Sequence, residues 1–199
     1  MMNTVTKLHH LNAWERDAAR GRARIVPSGV AGLDELLPDG GWPRDGVVEI
    51  IVPDMLADAM DLVLPALRRL GQQGRMIAMV TPPFEARAGL YTDPDINANH
   101  LLQVNPHPGR SALWTVESLL ETGACAAVLA WPGCDTELMG KRLQKAAAQG
   151  RSLCILFRYE GLSTRRSSVA LRLRLDVSAA GQVLQRVNSR GEILSGIAL

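Results

Sequence analysis

Four short runs, Val47–Val52, Met76–Val80, Cys125–Trp131 and Ser152–Phe157, are rich in apolar and β-branched side chains and show no polar alternation. A strand with one wet face would alternate, so these runs predict strands covered on both faces. Segments of helical period lie between them. Met55–Leu70 follows the first run, Phe84–Leu90 the second, Ser111–Thr122 precedes the third and Thr136–Gln149 the fourth, with Leu101–Val104 as a further strand. The order strand, helix, strand predicts an α/β fold, a mainly parallel sheet flanked by helices.

The flanks follow other rules. Pro27-Ser28-Gly29 before Val30, Leu33, Leu36 and Leu37 predicts a short amphipathic helix with Ser28 as its cap, stopped by the loop Pro38-Asp39-Gly40-Gly41-Trp42-Pro43. Beyond Gly161 the pattern changes. Leu171, Leu173 and Leu175 alternate with Arg172 and Arg174, which predicts a half-wet edge strand, with Gln182–Val187 returning as its hairpin partner across Ser178–Gly181. The expected organisation is a flexible basic N-terminal arm at 1–24 and one domain at 25–199, with its core at 25–160 and a C-terminal β extension at 161–199.

Charge is distributed unevenly. Residues 1–24 hold five basic and two acidic side chains, and residues 157–199 hold seven arginines against three acids, so the body between them is acidic although the whole chain carries only +2. A total so near zero does not mark a nucleic-acid binder, and any basic surface is local. The three cysteines, at 125, 134 and 154, match neither a zinc pair nor a CxxC redox site. With no signal-like or membrane-length apolar stretch, these features predict a cytoplasmic protein without membrane contact.

The segments Ile25–Asp34 (Ile-Val-Pro-Ser-Gly-x-x-x-Leu-Asp), Gly40–Pro43 and Val47–Ile50 occur in the order found at the start of RecA-type ATPase cores, and the resemblance continues to about Trp131. In that family the first strand leads into the loop G-x-x-x-x-G-K-[ST], whose backbone N–H groups and lysine hold phosphates. The corresponding residues here are Val52, Pro53, Asp54, Met55, Leu56, Ala57, Asp58 and Ala59. Both glycines are missing, Asp58 takes the lysine position and Ala59 that of the Mg²⁺-binding hydroxyl. The acid that would hold Mg²⁺ at the end of the third apolar run is replaced by Trp131, and the one that would activate water by Pro82-Pro83. The resemblance therefore implies a fold that has lost nucleotide chemistry, with no cofactor and no enzymatic activity.

A narrower resemblance is to the ImuA family, whose members are also called SulA-like. It rests on Pro27-Ser28-Gly29, Leu33-Asp34, Leu37-Pro38, Gly40-Gly41-Trp42-Pro43, Glu49, Leu64-Pro65-Ala66-Leu67, Pro82-Pro83 and Ser167-Ser168-x-Ala170-Leu171-Arg172-Leu173. This resemblance implies a non-catalytic accessory factor of SOS-induced translesion DNA synthesis. Its implied partners are ImuB and an error-prone DnaE-type polymerase, with RecA as a further one. The SulA side of the name implies an inhibitor of cell division that binds FtsZ. A reading of another class is a weak residual ATPase with a displaced lysine, Lys141 or Lys145.

Candidate contacts with a partner or DNA are Arg165, Arg166, Arg172 and Arg174, together with Trp42 and Trp131. The arginines read equally as charge that keeps an edge strand from aggregating, and the tryptophans as buried loop anchors. Asp54 and Asp58, one helical turn apart, suit a cation, a basic partner or a solvated helix start. His100 and His107 lack further ligands at metal spacing, and Ser111 and Ser167 lack the context of a nucleophile.

Overall fold

The computed structural model describes residues 25–53, 59–106, 111–133, 139–162, 167–169, 171–179 and 181–199. The basic arm, Asp54–Asp58, His107, Cys134, Arg165, Arg166 and Ala170 lie outside them. Strands β1 (Ile25–Val26) and β2 (Trp42–Pro43) pair antiparallel around the short helix α1 (Leu33–Leu36). β3 (Val47–Val52) leads through a 3₁₀ turn at Met60–Leu62 to α2 (Leu64–Gly71) and β4 (Met76–Val80). There follow α3 (Phe84–Thr92), β5 (Leu101–Val104), α4 (Ala112–Glu121), β6 (Cys125–Ala130), α5 (Gly140–Gly150) and β7 (Leu153–Tyr159). The chain closes with β8 (Leu171–Ser178), β9 (Gly181–Val187) and β10 (Ile193–Ala198).

Eight strands form one sheet in the order β10-β9-β8-β3-β7-β6-β4-β5. The six from β8 to β5 are parallel, and β9 and β10 add antiparallel. The expected α/β architecture is therefore present. Its cause is visible in burial: every residue of β3 and β6 is buried, because α1, α2 and α3 cover one face and α4 and α5 the other. Leu67 and Leu70 of α2 share one core cluster with Ile50 and Ile77, while Leu113 and Val116 of α4 share the other with Val128. Each fully buried aliphatic side chain contributes about 1.5–3 kcal/mol.

Sequence and structure agree closely on the strands β3, β4 and β5 and on the turn at Ser178–Gly181. Three expectations need correction. Ser28 does not cap α1, whose N-cap is Gly32. Its hydroxyl instead accepts from the Val30 N–H, and its own N–H donates to Asp34 Oδ1 at 2.8 Å. The helix expected over Met55–Leu70 is, in its described part, a 3₁₀ turn at Met60–Leu62 with the α-helix starting only at Leu64, where Pro65 in the first turn suits a helix start. β8 is not an edge: it lies between β3 and β9, and β10, which alternation did not reveal, forms the border.

The described cysteines, Cys125 and Cys154, are buried and unpaired. Burial pushes both thiols up, and the Arg75 guanidinium offsets this partly for Cys125. A raised pKa means less thiolate and slower attack. In the folded protein at pH 8 neither is expected to react with an aqueous disulfide reagent, and both react on unfolding in urea. Peptide mapping of the labelled protein checks this, and labelling of Cys154 in native buffer would contradict its burial.

Candidate functional site

In open parallel sheets, ligands bind beyond the carboxyl ends of the strands, where the direction of strand addition reverses. Here the chain leaves β3, passes over β7 and β6 to reach β4, and then returns through β6 and β7. The carboxyl ends of β3, β6 and β7 therefore surround the place where a nucleotide would sit. Val52 is buried at the end of β3, Pro53 is half-buried, and Ala59 is buried.

At the end of β6, Trp131 is half-buried and stacks on Phe157 of β7, with ring centroids 4.7 Å apart and planes 11° from parallel. The Trp131 backbone N–H donates to the Val80 carbonyl at 3.2 Å, and the Trp131 backbone carbonyl accepts from Thr81 Oγ1 at 2.9 Å. Thr81 also donates its N–H to Val104, and it holds a left-handed φ of 53°, a strained conformation for a β-branched residue. Tyr159 ends β7, and burial together with nearby Glu85 raises its phenol pKa. Aromatic rings and a threonine thus occupy strand ends where phosphoryl transfer requires carboxylates. Phe157 belongs to the core on the α2 side, and Trp131 packs against that core while remaining partly exposed.

The remaining candidates are not brought together. Trp42 is completely buried in the core on the α2 side, so as a partner contact it is withdrawn; it anchors its loop. Arg172 is likewise withdrawn as a DNA or partner contact. At 2% exposure it lies under the sheet surface, because Glu49 of β3 accepts from its Nε at 2.5 Å. Arg158 of β7 donates to the other oxygen of Glu49 at 3.2 Å, and Arg172 also donates to the carbonyl of Asn188. Arg174 is partly exposed and stands 3.5 Å from Glu160. Lys141 and Lys145 are exposed on α5. Among the described residues no group of three or more His, Cys, Asp and Glu side chains is placed to hold a metal.

Sequence reasoning missed the Glu49–Arg158–Arg172 cluster. Its signal was an acid in the middle of an otherwise apolar strand, since a carboxylate that is buried must be paired. No helix among the described residues is long and apolar enough to cross a membrane.

No protein-family profile matches this chain. It is similar to the RecA proteins of Treponema denticola (29% identical over 113 residues, 57% of this chain and 27% of that protein) and Bacillus subtilis (30% over 114 residues, 54% and 31%). RecA of Delftia acidovorans is 26% identical over 144 residues, 63% of this chain and 39% of that protein. The chain therefore spans well under half the length of the RecA proteins it matches, and the relation is distant. Among solved structures, SulA from Pseudomonas aeruginosa shares 22% identity over 57% of this chain and 97% of its own, with a TM-score of 0.45.

Proposed function

We propose, with the distant relation to RecA as premise, that this chain is a non-catalytic RecA-like accessory protein of ImuA type, acting in SOS-induced translesion synthesis through contacts with other proteins. The observation that carries this reading is the sequence at the phosphate position. The chain keeps the strand and proline that lead into the loop but puts Asp58 where the lysine would neutralise phosphate. A carboxylate 4 Å from a phosphate repels it by about 1 kcal/mol even at the dielectric of water, and by more in a cleft. The stacked Trp131–Phe157 pair at the neighbouring strand ends supports the same reading.

An accessory role places function in partners, and the ImuA resemblance points to ImuB, a DnaE-type polymerase and RecA. Calorimetry with Mg²⁺-ATP is expected to show no binding at micromolar concentration; micromolar affinity would restore the ATPase reading. In parallel pull-downs the chain is expected to retain ImuB and not FtsZ. Retention of FtsZ alone would replace the ImuA-type reading with the SulA-type one, and retention of neither would sink both.

A further inference from the structure

The sheet ends in an unprotected strand. β10 pairs with β9 on one side, and among the described residues it pairs with no strand on the other. Border strands usually carry charge, a proline or a covering element, because their free N–H and C=O groups accept any added strand. The run Ile-Leu-Ser-Gly-Ile-Ala of β10 has neither charge nor proline. Of the eight large apolar side chains exposed among the described residues, five (Val177, Val183, Ile193, Leu194 and Leu199) lie at this end of the sheet. Apolar surface is thus concentrated where backbone groups are open, the combination expected of a contact surface.

The register shows which groups are open. The Leu199 N–H donates to the Gln182 carbonyl, and from Ser195 onward the pairing with β9 is regular. Along an antiparallel ladder, successive residues direct their backbone groups to opposite sides. Ser195, Ile197 and Leu199 therefore turn theirs toward β9, while Gly196 and Ala198 turn theirs away from the sheet. Ile197 packs its side chain against the α2-side core, which fixes the strand in place.

The side chains favour a particular occupant. An acidic or basic partner segment would find no opposite charge on β10. A second copy brings the same uncharged strand, and a two-fold axis lets the same residues serve both sides. With the axis at Gly196, that residue faces its own counterpart, Ile197 faces Ser195, and Ala198 faces Leu194 at the register shift. Each large side chain then meets a small one, the centre carries none, and no like charges are opposed.

We infer that two copies of this chain join through β10, antiparallel about an axis at Gly196, so that one sheet continues across both. A contact of one strand pair and a few apolar side chains falls short of the roughly 800 Å² per partner of a standard interface, so a reversible dimer with a dissociation constant on the order of tens of micromolar is expected. The inference uses none of the residues on which the accessory-protein reading rests, and its failure leaves that reading intact.

Sedimentation velocity of the full chain from about 1 to 300 μM is expected to show a monomer–dimer equilibrium. Amide hydrogen exchange over the same range locates the contact. Gly196 and Ala198 are expected to exchange at least about tenfold more slowly in the dimer, while Ser195 and Ile197, already bonded to β9, change little. Ala198→Pro removes an outward donor without touching a bond to β9, and Leu194→Lys charges a side chain that is 55% exposed in the single chain. Each is expected to weaken dimerisation at least about tenfold with the circular dichroism of the monomer retained, whereas Phe84→Lys, on α3, leaves it unchanged. A monomer at every concentration, a dimer that leaves both amides unprotected, or a dimer that survives both β10 variants would overturn the proposal. Protection already complete in the monomer would also overturn it, assigning the border to the chain's own residues 1–24.

Discussion

Glu49→Leu is expected to destabilise the fold by about 3–5 kcal/mol, seen as a large fall in the urea midpoint of unfolding. Glu49 is completely buried in β3 and accepts from Arg158 of β7 and Arg172 of β8, each nearly inaccessible to water. Removing the carboxylate takes away the acid to which both guanidinium groups donate, in a region of low dielectric. Against a typical total stability of about 5–15 kcal/mol, the loss brings the chain near unfolding. The opposite result is expected when all three members are replaced together. E49L/R158M/R172M removes the desolvated charges along with their attraction, and such replacements are often neutral or stabilising. An unchanged midpoint in E49L alone would mean that water reaches the two arginines in the folded state.

The second large effect comes from a single methyl group. A Cβ on Gly150, in the last turn of α5, would lie 1.8 Å from the carbonyl oxygen of Leu120 in α4 and 3.0 Å from its carbon. Both are backbone atoms, so no side-chain rotation relieves the overlap. The same corner is held by Arg75, which donates to the carbonyls of Gly123, Cys125, Gly150 and Arg151. Gly150→Ala must separate the two helix ends and weaken that clamp, at a cost of about 3 kcal/mol. Gly89→Ala is the matching control. Gly89 sits within α3 with nothing near a built Cβ, and alanine there is expected to stabilise by up to about 1 kcal/mol. Denaturant unfolding of the two variants reads both signs, and equal stabilities would show that α4 and α5 do not meet as described.

The legible part of the fold was the part whose burial leaves a one-dimensional trace. β3, β4 and β6 are covered on both faces, so their apolar runs had no alternation and could be read directly. β8 misled for the converse reason. Its leucines and arginines alternate like an edge strand, but Arg172 is neutralised by Glu49 more than a hundred residues earlier in the chain. Alternation records polarity and not exposure. β10 was missed because Ile193–Ala198 combines exposed apolar residues with a register shift, a pattern without a clear period.

At the candidate site, the resemblance to RecA-type cores sets Val52–Ala59 opposite the phosphate loop, and Asp54–Asp58 lie outside the described residues. Sequence could not decide between anchor and contact for Trp42 and Trp131, since an indole serves either purpose. Packing decided it for Trp42, which lies wholly in the core, while Trp131 stacks on Phe157 and keeps part of its surface exposed.

The sequence by itself therefore determined the α/β order and the covered strands, both properties of neighbouring residues. Only the tertiary structure decided which arginines reach water, where β8 stands and that β10 borders the sheet. Each of these depends on side chains or segments brought together from distant points in the chain. Their pairing energies are set by burial and charge in three dimensions, and local spacing carries no record of them.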